Sequence, residues 1–234
     1  MTSLLRNERC GILFWNKKKA PELSAPSGIG AADFAGAGTP LKFNSVDFRD
    51  GQQSLFATRL TTADMIPLLG QMDAVGYDSM EMWGGATFDV AYRFLKEDPW
   101  ERLATLREKM PNILTQMLFR GANAVGYKNY PDNVIRNFIS VAADAGIDVF
   151  RVFDSLNWLQ GMEVALDEVL KQGKVAEACM CYTGDILDES RTKYSLQYYI
   201  NMAKELEKRG AHIIAIKDMS GLIKPADALK QIKE

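Results

Sequence analysis

Six short, apolar, β-prone runs recur along the chain: SVDFRD (45–50), SMEMWGG (79–85), TQMLFRG (115–121), DVFRVFD (148–154), ACMCYTGD (178–185) and HIIAIKD (212–218). They end at intervals of roughly 30 to 36 residues, about the length of one strand–crossover–strand unit. Between them the apolar residues change to a helical period. Thr62 can cap a helix carrying Met65, Leu68, Leu69, Met72 and Val75, and Pro99 opens PWERLATLREKM with Leu103, Leu106 and Met110 on one face. Asp132 precedes Val134, Ile135, Phe138, Val141 and Ala142, and a helix from Trp158 carries Met162, Leu166, Val169 and Leu170. Gly76, Gly146, Gly173 and Gly210 fall where a left-handed C-terminal cap belongs, just before the next strand. The chain is a strand–helix repeat, and such a repeat makes parallel strands.

Two architectures accept it, a doubly wound sheet and a (β/α)8 barrel. All six runs end in charged, polar or glycine residues: Arg49/Asp50, Glu81/Trp83, Arg120, Asp154, Thr183/Asp185 and Lys217/Asp218. A barrel draws its site from the C-terminal ends of many strands, whereas an open sheet uses mainly its switch point. The expected fold is therefore α/β, of the (β/α)8 TIM-barrel type, with about six of the eight units present. A barrel left open at that point has bare hydrogen-bonding edges on its first and sixth strands.

Residues 20–40, APELSAPSGIGAADFAGAGTP, are small and rich in Gly and Pro, so residues 1–44 read as an irregular N-terminal arm and 45–234 as the partial barrel. The glycine cluster at 28–38 fails the dinucleotide-loop pattern at Asp33 and follows no strand. A formal net charge of -2 argues against a nucleic-acid partner, and KKK at 17–19 reads as a solvated face. No apolar run is long enough to span a membrane or to serve as a signal-peptide core, and three cysteines without framework spacing read as reduced thiols in a cytoplasm. Cys179 and Cys181, two apart on a strand, share a face; core packing is the plain reading and a soft metal site the sharper one.

Lys217 ends the last strand, and an amine at the end of a buried run calls for a reason. Asp50, at the end of the first, would share the same barrel mouth. The two can form an ion pair, or Lys217 can act as an amine held in a dry site, where it loses its proton and reacts with CO2 to give a carbamate.

Several blocks closely resemble the carboxyltransferase domain of pyruvate carboxylases: DFRDGQQSLFATR (47–59), EMWGGATFDVAYRFLKEDPWERL (81–103), QMLFRGANAVGYKNYPDNV (116–134), DVFRVFDSLN (148–157), YTGDILDESRTKYSLQYY (182–199) and IKDMSGLIKP (216–225). Oxaloacetate decarboxylase α subunits and transcarboxylase have related barrels, but YTGD and SRTKYSLQYY favour pyruvate carboxylase. A truncated, non-catalytic interaction protein is the alternative of another class. The resemblance implies transfer of a carboxyl group from carboxybiotin to pyruvate, giving oxaloacetate, by a biotin-dependent ligase. It also implies a divalent metal (zinc, manganese or cobalt) with Asp50 and carbamylated Lys217 as ligands, completed by an H-x-H pair on the seventh strand. Arg120 of the RGAN segment corresponds to the family's pyruvate-binding arginine, while Gln53 and Tyr127 match residues that reach the substrate or the biotin ring. Arg49 adjoins the metal aspartate as a further substrate-binding candidate. The implied partners are biotin carrier and biotin carboxylase domains or subunits, in a homo-oligomer.

The chain departs from the family in two places. Gly51 and Gln52 replace the usual Ala and His of RDAHQS, as in the acyl-CoA condensing enzymes and lyases of a sister barrel group. The single histidine, His212, lies five residues before Lys217, about 16 Å away along a strand and near the opposite barrel end, so it is a surface or satisfied residue. The 234 residues alone are expected to bind metal weakly and to lack transfer activity.

Overall fold

The computed structural model describes residues 41–234 and the backbone of Leu13–Trp15. Cys10, the basic run at 17–19 and the glycine-rich stretch at 28–38 lie outside the described residues. The strands are β1 (Leu13–Trp15), β2 (Asn44–Ser45), β3 (Ser79–Gly84), β4 (Leu114–Phe119), β5 (Val149–Val152), β6 (Val175–Cys181) and β7 (Ile213–Lys217). They form one sheet in the order β1-β7-β6-β5-β4-β3-β2, in which β2 to β7 are all parallel. The helices are α1 (Gln52–Leu55), α2 (Thr62–Ala74), α3 (Ala86–Val90), α4 (Pro99–Lys109), α5 (Asp132–Asp144), α6 (Gln160–Lys171), α7 (Leu196–Lys208) and α8 (Pro225–Lys233). Six parallel strands in sequential order, curled as a half-barrel, are the partial TIM barrel that the repeat predicts.

The central strands are the most buried, as in a sheet covered on both faces: every residue of β3 and of β6 is buried, whereas three of the five residues of β7 are half-buried. The WGGATF segment owes much of its chemistry to packing. Trp83 is fully buried, donates Nε1–H to the carbonyl of Pro99 at 2.9 Å, and stands within 6 Å of the rings of Phe88, Trp100 and Phe138. Gly84 has φ 83°, and a Cβ there would collide with the carbonyl oxygen of Leu118, so the crossing of β3 past β4 requires glycine.

Local signals held at most helix ends, with small shifts. Asp98 caps α4 through Trp100 N–H at 2.8 Å, and Pro99 stands in the first turn. The cap of α2 is Thr61, one residue earlier than expected, because Thr61 and Asp64 form a reciprocal capping box. Helix α6 starts at Gln160 rather than Trp158. All four cap glycines have positive φ.

Two expectations are corrected. SVDFRD is not a strand throughout: β2 ends at Ser45, and Asp47–Gly51 is a π-helical turn in which the N–H groups of Arg49, Asp50 and Gly51 all point to the carbonyl of Val46. Ser45 Oγ donates to Asp47 Oδ2 at 2.6 Å, a local side-chain bond that competes with strand continuation. The edge of the sixth parallel strand is not bare either. β1 pairs antiparallel with β7, Phe14 opposite Ile214, and satisfies part of that edge. A stretch read as irregular arm therefore contributes a strand.

Candidate functional site

Parallel strands bring their C-terminal ends to one side of the sheet, and there the structure opens a cavity of about 730 Å³. Asp50, Gln53, Arg49, Arg120 and Lys217 all line it. Tyr127 does not; it stands at the rim, 62% exposed, with its ring 5.2 Å from the Arg120 guanidinium carbon and its hydroxyl 3.5 Å from Asp89 Oδ2. Of the six residues proposed from the sequence, five share one cavity and the sixth touches one of them.

Each is held by its local backbone. The π-helical turn presents Arg49 and Asp50 together, whereas a strand would send neighbouring residues to opposite faces. Arg49 is buried: its Nε–H donates to Glu81 Oε1, and its Nη1 donates to Asp50 Oδ1 at 2.9 Å. The Asp50 side chain is half-exposed and also accepts a longer contact from Ser54 Oγ, at 3.4 Å. Gln53, on α1, has a buried Oε1 with no hydrogen-bond partner among the described residues, so an amide oxygen is left open for a ligand's donor. Arg120 follows β4 into a short 3₁₀ turn, where Gly121 (φ 45°) lets the chain pass within 2.8 Å, measured from an added Cβ, of the Gly161 carbonyl. Its Nη1 donates to Gly126 O at 3.2 Å. Lys217 ends β7 with its Nζ 5.2 Å from the centroid of the Phe153 ring.

The possible ion pair between Asp50 and Lys217 is absent: Asp50 pairs with Arg49, and among the described residues Lys217 has no carboxylate within 4 Å. The two departures from the family pattern are structurally mild. Gln52 is buried and bonds back to the Phe48 carbonyl at 2.7 Å, and a Cβ at Gly51 would meet Asp47 at an ordinary 3.7 Å. His212 is a satisfied histidine, as expected: it is buried and its Nδ1 accepts from Ala176 N–H at 3.0 Å. Cys179 and Cys181 are free and buried in a small cluster with Leu118, Phe153 and Ala215, in line with core packing. Burial pushes the Cys181 thiol up to about 11 and Cys179 further, so neither is a ready thiolate ligand.

Among the described residues no group of three or more His, Cys, Asp or Glu side chains could hold a metal. Asp50 and Lys217 together offer at most two ligands, fewer than a closed tetrahedral site or a three-ligand catalytic site needs. These residues alone do not make a metal centre.

What the sequence reading missed is a charged layer between the strands, two members of which, Arg151 and Glu177, line the same cavity. Glu81 of β3, Arg151 of β5 and Glu177 of β6 are inner-facing. Arg151 Nε–H donates to Glu177 Oε1 at 2.7 Å, and its Nη1 lies 2.7 Å from Glu81 Oε2. That second contact is an ion pair without an aligned hydrogen bond, since Glu81 Oε2 has no hydrogen-bond partner. Burial pushes Glu177 above the usual carboxyl range, with the Arg151 guanidinium opposing it. Burial works against the charge of Arg151, but Glu177 and Glu81 hold it above the ordinary range. The available signal was an acid or base in the middle of an otherwise apolar run: SMEMW, VFRVF and VAEAC. Among the described residues, no helix is long and apolar enough to cross a membrane.

No family model matches the sequence. Curated relatives do. The chain is 62% identical over 187 residues to the pyruvate carboxylase of Bacillus subtilis, which covers 79% of this chain and 16% of that protein. It is 58% identical over 181 residues to the mitochondrial pyruvate carboxylase of Homo sapiens, covering 76% of this chain and 15% of that one. The carboxyltransferase domain of Rhizobium etli pyruvate carboxylase, solved with pyruvate and biocytin, superposes with a TM-score of 0.77 at 54% identity, over 82% of this chain and 34% of that one. The same domain solved with oxamate and biotin gives 0.77 at 54%, again over 82% and 34%. The chain thus spans about a sixth of these two curated relatives and about a third of the solved domain.

Proposed function

The chain belongs to the pyruvate carboxylase family, matching part of its carboxyltransferase domain, and from that premise we propose that its cavity is the pyruvate side of a biotin-dependent carboxyl-transfer site. The observation that carries the reading is the convergence of Arg120, Gln53, Arg49, Asp50 and Lys217 on one cavity at the C-terminal ends of the strands. Pyruvate is small, planar and anionic at one end. The planar fork of Arg120 suits its carboxylate, with charge-assisted bonds from the Nη groups that face the cavity. The open Gln53 amide can orient the remainder. When the methyl group gives up its proton, which biotin would accept as it releases its carboxyl group as CO2, negative charge develops on the ketone oxygen, and Arg49 is a fixed, buried cation at the cavity wall to meet it. Such a cation needs no reorganisation, because Glu81 and Asp50 already hold it in place. The buried strands behind the cavity keep water from the enolate, which then attacks CO2 to form oxaloacetate.

Carboxylated biotin, delivered by a carrier domain or subunit outside these residues, would supply the carboxyl group, and a divalent metal such as zinc, manganese or cobalt would supply Lewis-acid stabilisation of negative charge. Asp50 and Lys217 as its carbamate would supply two ligands to that metal, with the others contributed from outside the described residues. Tyr127 at the rim is set to meet the incoming biotin ring. A reducing compartment such as the cytoplasm suits the buried free thiols of Cys179 and Cys181.

The test is oxaloacetate formation from pyruvate, bicarbonate and ATP by the complete protein in which this chain occurs. Biotin-dependent oxaloacetate formation that Lys217→Ala reduces by roughly 100-fold or more would support the reading. Carboxylation of an acyl-CoA in place of pyruvate would overturn it.

A further inference from the structure

Barrel interiors are usually layered with branched apolar side chains. Here five successive parallel strands each place a polar residue inside: Asn44 on β2, Glu81 on β3, Gln116 on β4, Arg151 on β5 and Glu177 on β6. The register makes them neighbours, since Glu81 lies opposite Gln116 and Arg151 opposite Glu177. Gln116 Nε2 donates to Glu177 Oε2 at 2.9 Å, and Asn44 Nδ2 donates to Gln116 Oε1. Ions buried this deeply are costly unless each has its partner, so the layer calls for a reason beyond stability.

Its connectivity supplies one. From β6, Glu177 holds Arg151 at 2.7 Å, and Arg151 holds Glu81 at 2.7 Å. Glu81 accepts from Arg49, whose Nη1 reaches Asp50 at 2.9 Å. Signs alternate along the whole line, and four of its five members, Glu177, Arg151, Arg49 and Asp50, border the cavity, with Glu81 buried between the two arginines. We propose that Arg151, anchored by Glu177, is a positioning residue for this cavity: it fixes Glu81, and through Glu81 it sets where the Arg49 guanidinium lies and how Asp50 is turned. The kinetic consequence rests on the carboxyl-transfer reading, whereas the positional one does not. Without Arg151, Glu81 keeps the Arg49 guanidinium, while the buried Glu177 keeps the Gln116 amide but no bonded cation among the described residues. The two carboxylates then compete for that guanidinium or take up a proton. Either way Arg49 loses the geometry it has beside Asp50.

The experiment is a double-mutant cycle in the complete protein with Arg151→Met and Arg49→Met, read as kcat/KM for pyruvate. Arg151→Met alone is expected to lower it about 10- to 100-fold, as loss of residues that orient a site's contacting groups typically does. In the Arg49→Met background the same change is expected to cost less than about 2-fold, because its route of action is already gone. Equal losses in both backgrounds would overturn the proposal, since a merely structural residue behaves that way. A crystal structure of Arg151→Met gives a reading independent of turnover. Loss of the Arg49–Asp50 contact supports the proposal, and an unchanged contact at about 2.9 Å overturns it even if the wild-type protein carboxylates nothing. Should Arg151→Met fail to fold, Arg151→Lys keeps the charge but cannot bridge both carboxylates with a planar fork. It is expected to displace Arg49 and lose about 10-fold, and a wild-type structure and rate would overturn the proposal equally.

Discussion

Replacing Arg120 by Met separates the two jobs that an arginine can do in this position. Structurally it makes one hydrogen bond of 3.2 Å to the Gly126 carbonyl and lies over the exposed Tyr127 ring at 5.2 Å. The first contributes about 0.5–1.5 kcal/mol and the second about 0.5–1 kcal/mol. The fold should therefore lose about 1–2.5 kcal/mol, a fall in Tm of roughly 2–10 °C for a domain of this size. The cost in function is larger. Two charge-assisted bonds to a carboxylate, each worth about 1.5–3 kcal/mol, amount to about 3–6 kcal/mol, or roughly 10² to 10⁴ in kcat/KM for pyruvate. The assay is steady-state oxaloacetate formation by the complete protein, with biotin carboxylation measured separately as a control that needs no pyruvate. The expected result is a folded variant with normal biotin carboxylation and pyruvate transfer lowered at least about 100-fold. A variant with unchanged kcat/KM for pyruvate would refute the argument, because the guanidinium would then touch nothing that reacts.

Elemental analysis of the complete protein should find about one divalent metal per chain in the wild type and a loss of roughly 10-fold or more in Lys217→Ala; an unchanged metal content would remove Lys217 from the ligand set. Trp83→Ala should cost about 3–5 kcal/mol, since it empties a fully buried ring site among Phe88, Trp100 and Phe138, and a melting point within about 2 °C of wild type would contradict that packing. Thr61→Ala should remove the α2 capping box at a cost of about 1 kcal/mol, read as a Tm lower by roughly 2–4 °C, and no change would mean the box is not formed in solution. Burial of Glu97 favours its protonated form, but hydrogen bonds from Thr62 and Arg102 prevail and hold it below the usual carboxyl range. A folded pKa below the unfolded one contributes stability above about pH 4.3 that disappears as pH falls through the folded value, so the Tm gap between wild type and Glu97→Gln should be wide at neutral pH and narrow near pH 3. A gap that widens on acidification would reverse the assigned direction.

The barrel was legible because a strand–helix repeat is a periodic signal, and periodicity survives small errors at every boundary. The cap glycines were legible too, since a left-handed turn before a strand leaves little choice of residue. Local competition was less visible. SVDFRD alternates like a strand, yet the Ser45–Asp47 hydrogen bond and three N–H groups sharing the Val46 carbonyl turn it into a helix after two residues. That turn is what puts Arg49 and Asp50 side by side. Residues such as Lys217 and Arg120 could be found because they end apolar runs, where polarity stands out. Glu81, Arg151 and Glu177 sit inside such runs, and only the register between strands turns three isolated charges into a connected line. Tyr127 follows from a matched motif, and no pattern in the chain predicts that it stands at the rim beside Arg120 rather than inside the cavity.

The central claim is that this cavity holds pyruvate by its carboxylate. The most direct measurement is a crystal structure of the complete protein soaked with oxamate, a stable mimic of pyruvate. The account predicts the oxamate carboxylate within hydrogen-bond distance of the Arg120 guanidinium and its other end directed toward Gln53 and Arg49. Oxamate bound elsewhere while this cavity stays empty at saturating ligand would contradict it.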